Sequence, residues 1–597
     1  MRPYVTRQCM NLVYNRIFRV RLNINDGRMS ELQPGRKIHI CSKPEKYDYI
    51  EDVVCKETDI KENEMKLLSL GQNGGKVLLI KQKGELHAIG TKCTHYGALL
   101  HTGALGDGRV RCPWHGACFN IKTGDIEDYP GLDSLPCFQV NVDDTGLVHV
   151  KARRKDLDLN RRTKKMHEKD ANNDTTTLIV GGGPAAATCA ESLRQEAFTG
   201  NIIMVCKENA LPYDRVKVSK TFDIDFEKAV LRPASFYKEH NIEIKLGTEA
   251  TGLNTIDKVV QLSNNEKLKY NNLFICTGSA PRMPDIPGVD LSNIHVLRDY
   301  TDCHAISSKL SQDKHIMILG LGFIGMEAAA FCVDKCASVT IVGRGTIPLQ
   351  SVFGTDIGNR IKHLFEEKGV KFIFERNIAQ FIAKEGGKQP QSVGSVVLTD
   401  GEHHPADIVI IGIGSRFYTD WIKDSPIQML DDGSIVVDKY LKTNVENIYA
   451  GGDIAYAPLF GSDNILAAIG HYSLAHYHGK IAALNICGKN TVLNSIPFFW
   501  TTLFGKSYRY VGYGKAEKIR IYGSLENLEF FAYYMKDDKV IAMSSVGADP
   551  VVADFANFLY EGMTLTETDI NKDAFGWMRN KPKDLQNRFQ NESIVSA

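Results

Sequence analysis

Thr177-Leu-Ile-Val-Gly-Gly-Gly-Pro-Ala-Ala186 is an apolar run that breaks into a glycine-rich turn, and Ile316-Met-Ile-Leu-Gly-Leu-Gly-Phe-Ile-Gly325 repeats the pattern further along the chain. Each reads as strand, tight turn and helix, the unit that opens a dinucleotide-binding fold. Gly181 and Gly320 allow the turn, Gly183 and Gly322 let the backbone approach a pyrophosphate, and Ala186 and Gly325 let helix pack on strand. The helix N-terminus then stabilises the phosphate charge. One such turn also serves close packing with no ligand. Two of them, each in the required context, predict an α/β protein with two nucleotide sites.

Upstream, Cys93-Thr-His95 and Cys112-Pro-Trp-His115 put two thiols and two imidazoles into two short segments. Both residue types ligate zinc, so a zinc knuckle is one reading. The flanks, Cys-Thr-His before the gap and Cys-Pro-Trp-His-Gly-x-x-Phe after it, resemble the ligand loops of Rieske domains. The resemblance implies a 2Fe-2S cluster with Cys93 and Cys112 on one iron and His95 and His115 on the other. In high-potential Rieske proteins a disulfide joins the two loops; the matching places here hold Ala98 and Trp114. The serine and tyrosine hydroxyls that raise the potential in those proteins correspond to Ala117 and Phe119, which donate no hydrogen bond. A low-potential, ferredoxin-like cluster is therefore expected. Short apolar runs at Lys76–Ile80 and Gly146–Val150 bracket the loops and predict a small all-β module.

At 597 residues the chain is too long for one core. A net charge of +1 gives no electrostatic case for nucleic acid as a partner. No apolar run approaches the roughly 18 to 20 residues of a membrane span. The 14 cysteines lack the paired spacing of a secreted disulfide scaffold, and Cys206 and Cys276 lie in apolar runs, which suits a reducing compartment. Arg2, Arg7, Arg16, Arg19 and Arg21 stand in an N-terminal stretch without acids, a composition that suits a mitochondrial presequence. A disordered or strand-forming basic extension is the alternative, with a cytoplasmic location. From Lys151 to Asp174 the chain is almost wholly polar and reads as a solvated linker, able to reach at most about 80 Å when extended. A basic targeting or nucleic-acid patch at Arg161, Arg162, Lys164 and Lys165 is the sharper alternative for that segment.

Beyond the two turns, Cys276-Thr-Gly278-Ser-Ala-Pro-Arg282 and Thr443-Asn444 leading to Tyr449-Ala-Gly-Gly-Asp453 resemble the two-dinucleotide flavoprotein reductases. In those enzymes the first nucleotide site holds FAD and the second the nicotinamide cofactor. The resemblance implies that Glu208 binds the adenosine ribose of FAD, Arg215 its pyrophosphate and Asp453 its ribityl chain, with Gly278 nearby. It also places Lys220 beside the isoalloxazine, paired with Glu327 where hydride crosses. An NADH site expects an acid at the end of its second strand, and Val339-Thr-Ile-Val-Gly343-Arg344 offers Gly343 followed by Arg344. Loss of the carboxylate and gain of a guanidinium suit a 2′-phosphate, so NADPH is preferred over NADH. Cys332 and Cys336 fall four residues apart on the second helix and are read as packing residues, not a redox disulfide.

Pro497-Phe-Phe-Trp500-Thr-Thr-Leu-Phe504 resembles the aromatic stretch that opens the last domain of reductases serving ring-hydroxylating dioxygenases, which would bring Trp500 to the flavin. In its order of domains the whole chain resembles the Rieske-containing branch of the apoptosis-inducing-factor family. The expected architecture is multidomain: a small all-β Rieske domain, an α/β two-dinucleotide reductase fold and a C-terminal α+β domain. Its boundaries are an extension at 1–52, the Rieske domain at 53–150, the linker at 151–174, FAD-binding parts at 175–310 and 431–493, the NAD(P)H-binding domain at 311–430, and a C-terminal domain at 494–597 through which the family forms homodimers. The expected activity is hydride transfer from NAD(P)H to FAD, then one-electron transfers to the Rieske cluster and an acceptor the sequence does not name. Two rivals stand beside it: a signalling protein in which nucleotide-dependent dimerisation matters, and a ferredoxin reductase whose Cys-His module holds structural zinc.

Overall fold

In the computed structural model the described residues are 48–72, 75–386, 391–462, 465–579, 588–589 and 593–596. The arginine-rich stretch expected as a presequence lies outside them. Strands β1 (Tyr49–Lys56), β2 (Glu64–Ser69), β3 (Lys76–Gln82), β4 (Glu85–Ile89), β5 (Ala104–Gly106), β6 (Arg109–Arg111), β7 (Cys118–Asn120), β8 (Ile126–Asp128), β9 (Cys137–Val142) and β10 (Leu147–Arg153) build the first module. They form a sheet in the order β1-β10-β9-β4-β3-β2 and a smaller one in the order β5-β6-β7-β8. In β10 buried and half-buried residues alternate, the pattern of a strand with one face on a core. The sheet starts at Tyr49, inside the segment expected as an extension, because β1 pairs with β10 from Tyr49↔Arg153 onward.

The segment expected as a solvated linker is bound along much of its length. Lys151–Arg153 complete β10, and Arg154–Leu159 form a short helix, α1. Asn160 accepts from the backbone N–H of Thr91 (2.7 Å) and donates to Lys92 O (2.6 Å). Arg162 exchanges backbone bonds with Ser134 and pairs with Asp125. The backbone N–H groups of His167 and Asp170 then donate to Arg194 O and Thr199 O of the next domain. These residues read as solvated because they are polar; their partners are backbone groups distant in sequence, which composition does not report.

β11 (Thr176–Val180) runs into helix α2 (Pro184–Gln195) and then β12 (Asn201–Val205). The parallel sheet has the order Ile242–Lys245, β12, β11, Asn272–Ile275 and Ile448–Ala450. Its last strand comes after the second nucleotide domain, which is thus inserted into the first. That second domain has its own parallel sheet, ordered Ile294–Val296, Ile408–Ile411, His315–Leu319, Ser338–Gly343 and Lys371–Phe374. Leu178–Val180 and Ile316–Leu319 are buried throughout, as parallel strands covered by helices on both faces must be. From Phe498 onward an antiparallel sheet carries the helix Val551–Tyr560, and the fold class is as expected: an all-β module followed by a two-dinucleotide α/β fold and a C-terminal α+β domain. Among the described residues no helix is long and apolar enough to cross a membrane.

The β-module is clamped to the rest. Arg111, almost fully buried, donates from Nε to Asn557 Oδ1 on the C-terminal helix (2.9 Å) and pairs with Asp128 (2.9 Å). Arg232 bridges Asp133 of the module and Glu191 of α2 (2.7 and 2.9 Å). Lys480 donates to Ile126 O (3.2 Å), and the ring of Tyr129 stacks on His476.

Candidate functional site

The two Cys-His segments form matching loops, one between β4 and β5 and the other between β6 and β7. In the first, Cys93 N–H donates to Ala98 O and Gly97 N–H to Cys93 O; in the second, Cys112 N–H donates to Ala117 O and Gly116 N–H to Cys112 O. Gly97 and Gly116 take positive φ of 82° and 74°, which glycine adopts without steric cost. The loops bring the imidazoles together, with His95 Nδ1 and His115 Nδ1 3.2 Å apart. The Cys93 thiol hydrogen-bonds Cys112, and this contact with burial pushes Cys93 well up. Burial also opposes the Cys112 thiolate, but the bond from Cys93 and the backbone N–H groups of His115 and Trp114 outweigh it and hold Cys112 below its usual value. Burial lowers His95 strongly and, with Arg509 and Lys220, takes His115 to about 3, so both rings are neutral. Among the described residues no three such groups gather as around a single ion. The donors come as a thiol pair and an imidazole pair, which fits a two-iron cluster, one pair to each iron, better than one tetrahedral ion.

A cavity of about 1700 Å³ runs from the first glycine turn to the second and is lined by Gly181, Gly183, Glu208, Lys220, Asp453 and Trp500 among others. A Cβ at Gly181 (φ 151°) would meet Cys276 O at 2.3 Å, and one at Gly320 (φ 126°) would meet Gly412 O at 2.2 Å, so both turns require glycine. Gly183 and Gly322 have nothing within 4 Å of an added Cβ; they face open space where a pyrophosphate fits. Gly325 and Ala186 lie behind the turns; a Cβ at Gly325 would meet Gly320 O at 2.2 Å. The cavity's volume, its two glycine cradles and the half-buried carboxylates of Glu208 and Asp453 fit FAD together with part of a nicotinamide nucleotide.

Glu208 and Arg215, expected at different points along FAD, form an ion pair, and Tyr213 OH donates to Glu208 as well (2.7 Å). Burial pushes Asp453 up, but Arg298, Ser279 and Arg215 together hold its carboxyl below the usual range. Ser279 Oγ donates to Asp453 Oδ2 at 2.8 Å and Arg298 Nη2 at 3.0 Å. Gly278, with φ 70°, shapes the turn that delivers Ser279. Lys220, at the end of helix α3 (Arg215–Lys220), meets Glu327 Oε1 at 2.9 Å. Glu327 is buried, and Thr501 Oγ1 donates to the same oxygen at 2.6 Å. Arg298 and Thr501 escaped the sequence reading; Thr501 stands beside Trp500 in the aromatic stretch, whereas nothing local marks Arg298.

Trp500 joins the two sites. Its ring lines the cavity and lies 4.6 Å from the ring of His115 and 6.0 Å from that of His95. His95 Nε2 is 3.9 Å from Asp214 Oδ2, which accepts from Tyr96 OH at 2.7 Å. Asp214 also caps α3, accepting from the N–H groups of Val216 and Lys217. One carboxylate thus ties the first ligand loop to the helix that carries Lys220.

On the second nucleotide side, Arg344 is exposed just beyond the strand Ser338–Gly343. A Cβ at Gly343 would meet Leu321 Cγ at 2.5 Å, next to the glycine turn. Cys332 and Cys336 do not share one helix: the helix ends at Cys332 and Cys336 is extended. Both are buried and unpaired.

The profile of the Rieske [2Fe-2S] domain matches residues 51–139, and that of the pyridine nucleotide-disulphide oxidoreductases matches 175–479. Apoptosis-inducing factor 3 of Mus musculus is 38% identical over 537 residues, covering 88% of this chain and 87% of that protein. A ferredoxin–NAD(P)(+) reductase of Sphingomonas sp is 29% identical over 376 residues, covering 61% of this chain and 87% of that protein. The crystal structure of the covalent putidaredoxin reductase–putidaredoxin complex aligns with a TM-score of 0.64 at 25% identity, covering 70% of this chain and 100% of that one.

Proposed function

The chain belongs to the pyridine nucleotide-disulphide oxidoreductase family and carries a Rieske [2Fe-2S] domain ahead of it, and from that premise we propose that this NAD(P)H-dependent flavoprotein oxidoreductase delivers electrons to its own Rieske cluster and from there to a separate acceptor. When bound, FAD supplies the conversion of a two-electron hydride donor into one-electron steps, and the cluster receives them. The observation that carries the reading is the contact of His115 with Trp500 at 4.6 Å, within one chain, at the wall of the FAD cavity.

Cys93, Cys112, His95 and His115 hold the cluster in this reading. Gly181 and Gly183 with the N-terminus of α2 hold the FAD pyrophosphate. Glu208 and Arg215 work as a pair at its adenosine end, and Asp453, aligned by Ser279 and Arg298, binds the ribityl chain. Glu327 fixes the ammonium of Lys220 beside the ring, and Thr501 fixes Glu327. Gly320 and Gly322 cradle the nicotinamide cofactor's pyrophosphate, and Arg344 favours NADPH through its 2′-phosphate. Trp500 closes the cavity toward the cluster, excludes water there and forms the bridge between the two sites. The clamps at Arg111, Arg232 and Lys480 support transfer within one chain over transfer between protomers.

Rapid anaerobic mixing of the Trp500→Leu holoenzyme with NADPH tests the bridge. Flavin bleaching at the wild-type rate with delayed appearance of the cluster's EPR signal is expected. Equal cluster reduction rates in the variant and the wild type would remove Trp500 from the path.

A further inference from the structure

Two indoles stand beside the imidazole of His115. On its inner side Trp500 is 8% exposed and lines the FAD cavity. On its outer side Trp114 has its ring 6.3 Å from the imidazole and is 41% exposed. Around the other donors the surface is largely covered, and His115 itself is half-buried. Cys93, Cys112, Ala98 and Ala117 are buried, and the His95 side chain, 5% exposed, is packed against Tyr96, Asp214 and Trp500. Both imidazoles therefore lie against Trp500 of the reductase, and Trp114 is the exposed aromatic beside a ligand. Nor is the module free to swing out, because the contacts of Arg111, Arg232 and Lys480 hold it at three points.

Resting on the direction of electron flow proposed above, we infer that Trp114 is the electron exit, the contact at which a small carrier protein with an exposed metal-centre edge takes electrons from the cluster. The step balances without atoms moving: the reduced cluster loses one electron, the carrier's metal gains it, and two such transfers discharge one NAD(P)H. Trp114 is held for this role. Arg509 Nε donates to its carbonyl at 3.0 Å, and Arg509 is itself anchored by Asp549 at 3.0 Å. Arg509 is also the cross-strand partner of Trp500, so the inner indole and the clamp on the outer loop share one rung of the C-terminal sheet. An exposed aromatic on a rigid loop, beside a buried redox group, is the kind of anchor at which truncation costs a protein contact most. Leu99, on the other ligand loop, is equally exposed but aliphatic, and it follows Ala98 rather than preceding a ligand.

The test uses holoenzyme with Trp114→Ala, Trp114→Phe and, as a comparison, Leu99→Ser. Cluster reoxidation by cytochrome c is followed on the EPR signal after anaerobic reduction. Trp114→Ala is expected to slow it by about tenfold or more, the size of loss seen on truncating an aromatic anchor, with Trp114→Phe between that and wild type. A second readout is independent of turnover: a soluble dysprosium chelate should relax the EPR signal of the dithionite-reduced cluster more strongly in Trp114→Ala, because the indole that keeps solvent away is gone. Unchanged reoxidation and unchanged relaxation in Trp114→Ala, or an equal slowing in Leu99→Ser, would overturn the inference. If NAD(P)H fails to reduce the cluster of the wild type, the proposed electron flow fails, whereas reoxidation and relaxation after dithionite reduction still decide the place of Trp114. Should Trp114→Ala not assemble a cluster, Trp114→Phe carries both readouts.

Discussion

Replacing Asn557 with Ala cuts a clamp between the helix Val551–Tyr560 and the second ligand loop without touching a ligand. Asn557 Oδ1 accepts from Arg111 Nε at 2.9 Å, and its Nδ2 donates to Ala104 O at 3.3 Å. Arg111 immediately precedes Cys112 and also donates to Gly116 O at 2.9 Å, so the guanidinium shapes the loop it anchors. A hydrogen bond from a charged donor contributes about 1.5–3 kcal/mol net and a neutral one about 0.5–1.5 kcal/mol. Losing both removes about 2–4.5 kcal/mol, roughly 30-fold to 2,000-fold in the equilibrium between docked and undocked module. Arg111 keeps Asp128, so its charge stays paired and the module should remain folded. Hydrogen exchange on the holoenzyme reads the effect: amides of Ala104–Arg111 and Val551–Tyr560 should exchange faster, while those of β11 and β12 do not change. Asn557→Asp keeps the acceptor for Arg111 and should lose only the weaker bond. Wild-type protection across Ala104–Arg111 in Asn557→Ala would mean that Asn557 does not hold the module in place.

Lys220→Met leaves the buried Glu327 carboxylate without its cation; breaking such a pair costs about 3–5 kcal/mol, and the partial exposure of Lys220 puts this case at the low end. A lower Tm and slower flavin bleaching are expected, and adding Glu327→Gln should restore the Tm but not the rate; recovery of both would contradict the role of the pair. Arg344→Ala should raise KM for NADPH by roughly 10-fold to 150-fold, from the loss of a charge-assisted bond worth about 1.5–3 kcal/mol, and leave KM for NADH unchanged; a parallel change in both would remove Arg344 from cofactor choice. Burial pushes Asp554 up from 3.8 to about 7, with Arg579 opposing. Because the folded value is the higher one, the stability it confers is complete below pH 4 and lost as pH rises through 7. Asp554→Asn should therefore be more stable than wild type at pH 8, by up to about 4 kcal/mol at 1.36 kcal/mol per pKa unit, with no gain at pH 4; an equal Tm difference at both pH values would sink this.

The parts of the fold with strong local signals were readable from the chain. Thr177–Val180 and Ile316–Leu319 are strands because a parallel sheet covered on both faces needs continuous apolar runs, and the glycines after them stand where a side chain would collide with Cys276 O or Gly412 O. The paired loops of the Cys-His module were equally plain. What stayed hidden is polar and long-range. Tyr96 with Asp214, Arg111 with Asn557 and Arg232 with Asp133 hold the module in place, but hydrophobic periodicity reports only burial, and each of these residues looks like an ordinary surface group in sequence. The charged stretch after β10 was misleading for the same reason: Asn160 and Arg162 satisfy backbone groups far away in the chain. The aromatic stretch at Phe498 predicts Trp500 beside the flavin, and the structure has it on the cavity wall; only the folded chain sets its ring against His115.

In the proposed reading electrons pass from NAD(P)H through the flavin site to the Rieske cluster within one chain. Stopped-flow absorbance with freeze-quench EPR, after anaerobic mixing of the wild-type holoenzyme with NADPH at several protein concentrations, tests it most directly. Flavin bleaching should precede the cluster signal, and the rate constant for cluster reduction should not depend on protein concentration. A cluster that stays oxidised beside reduced flavin, or a rate that rises in proportion to protein concentration, would contradict it.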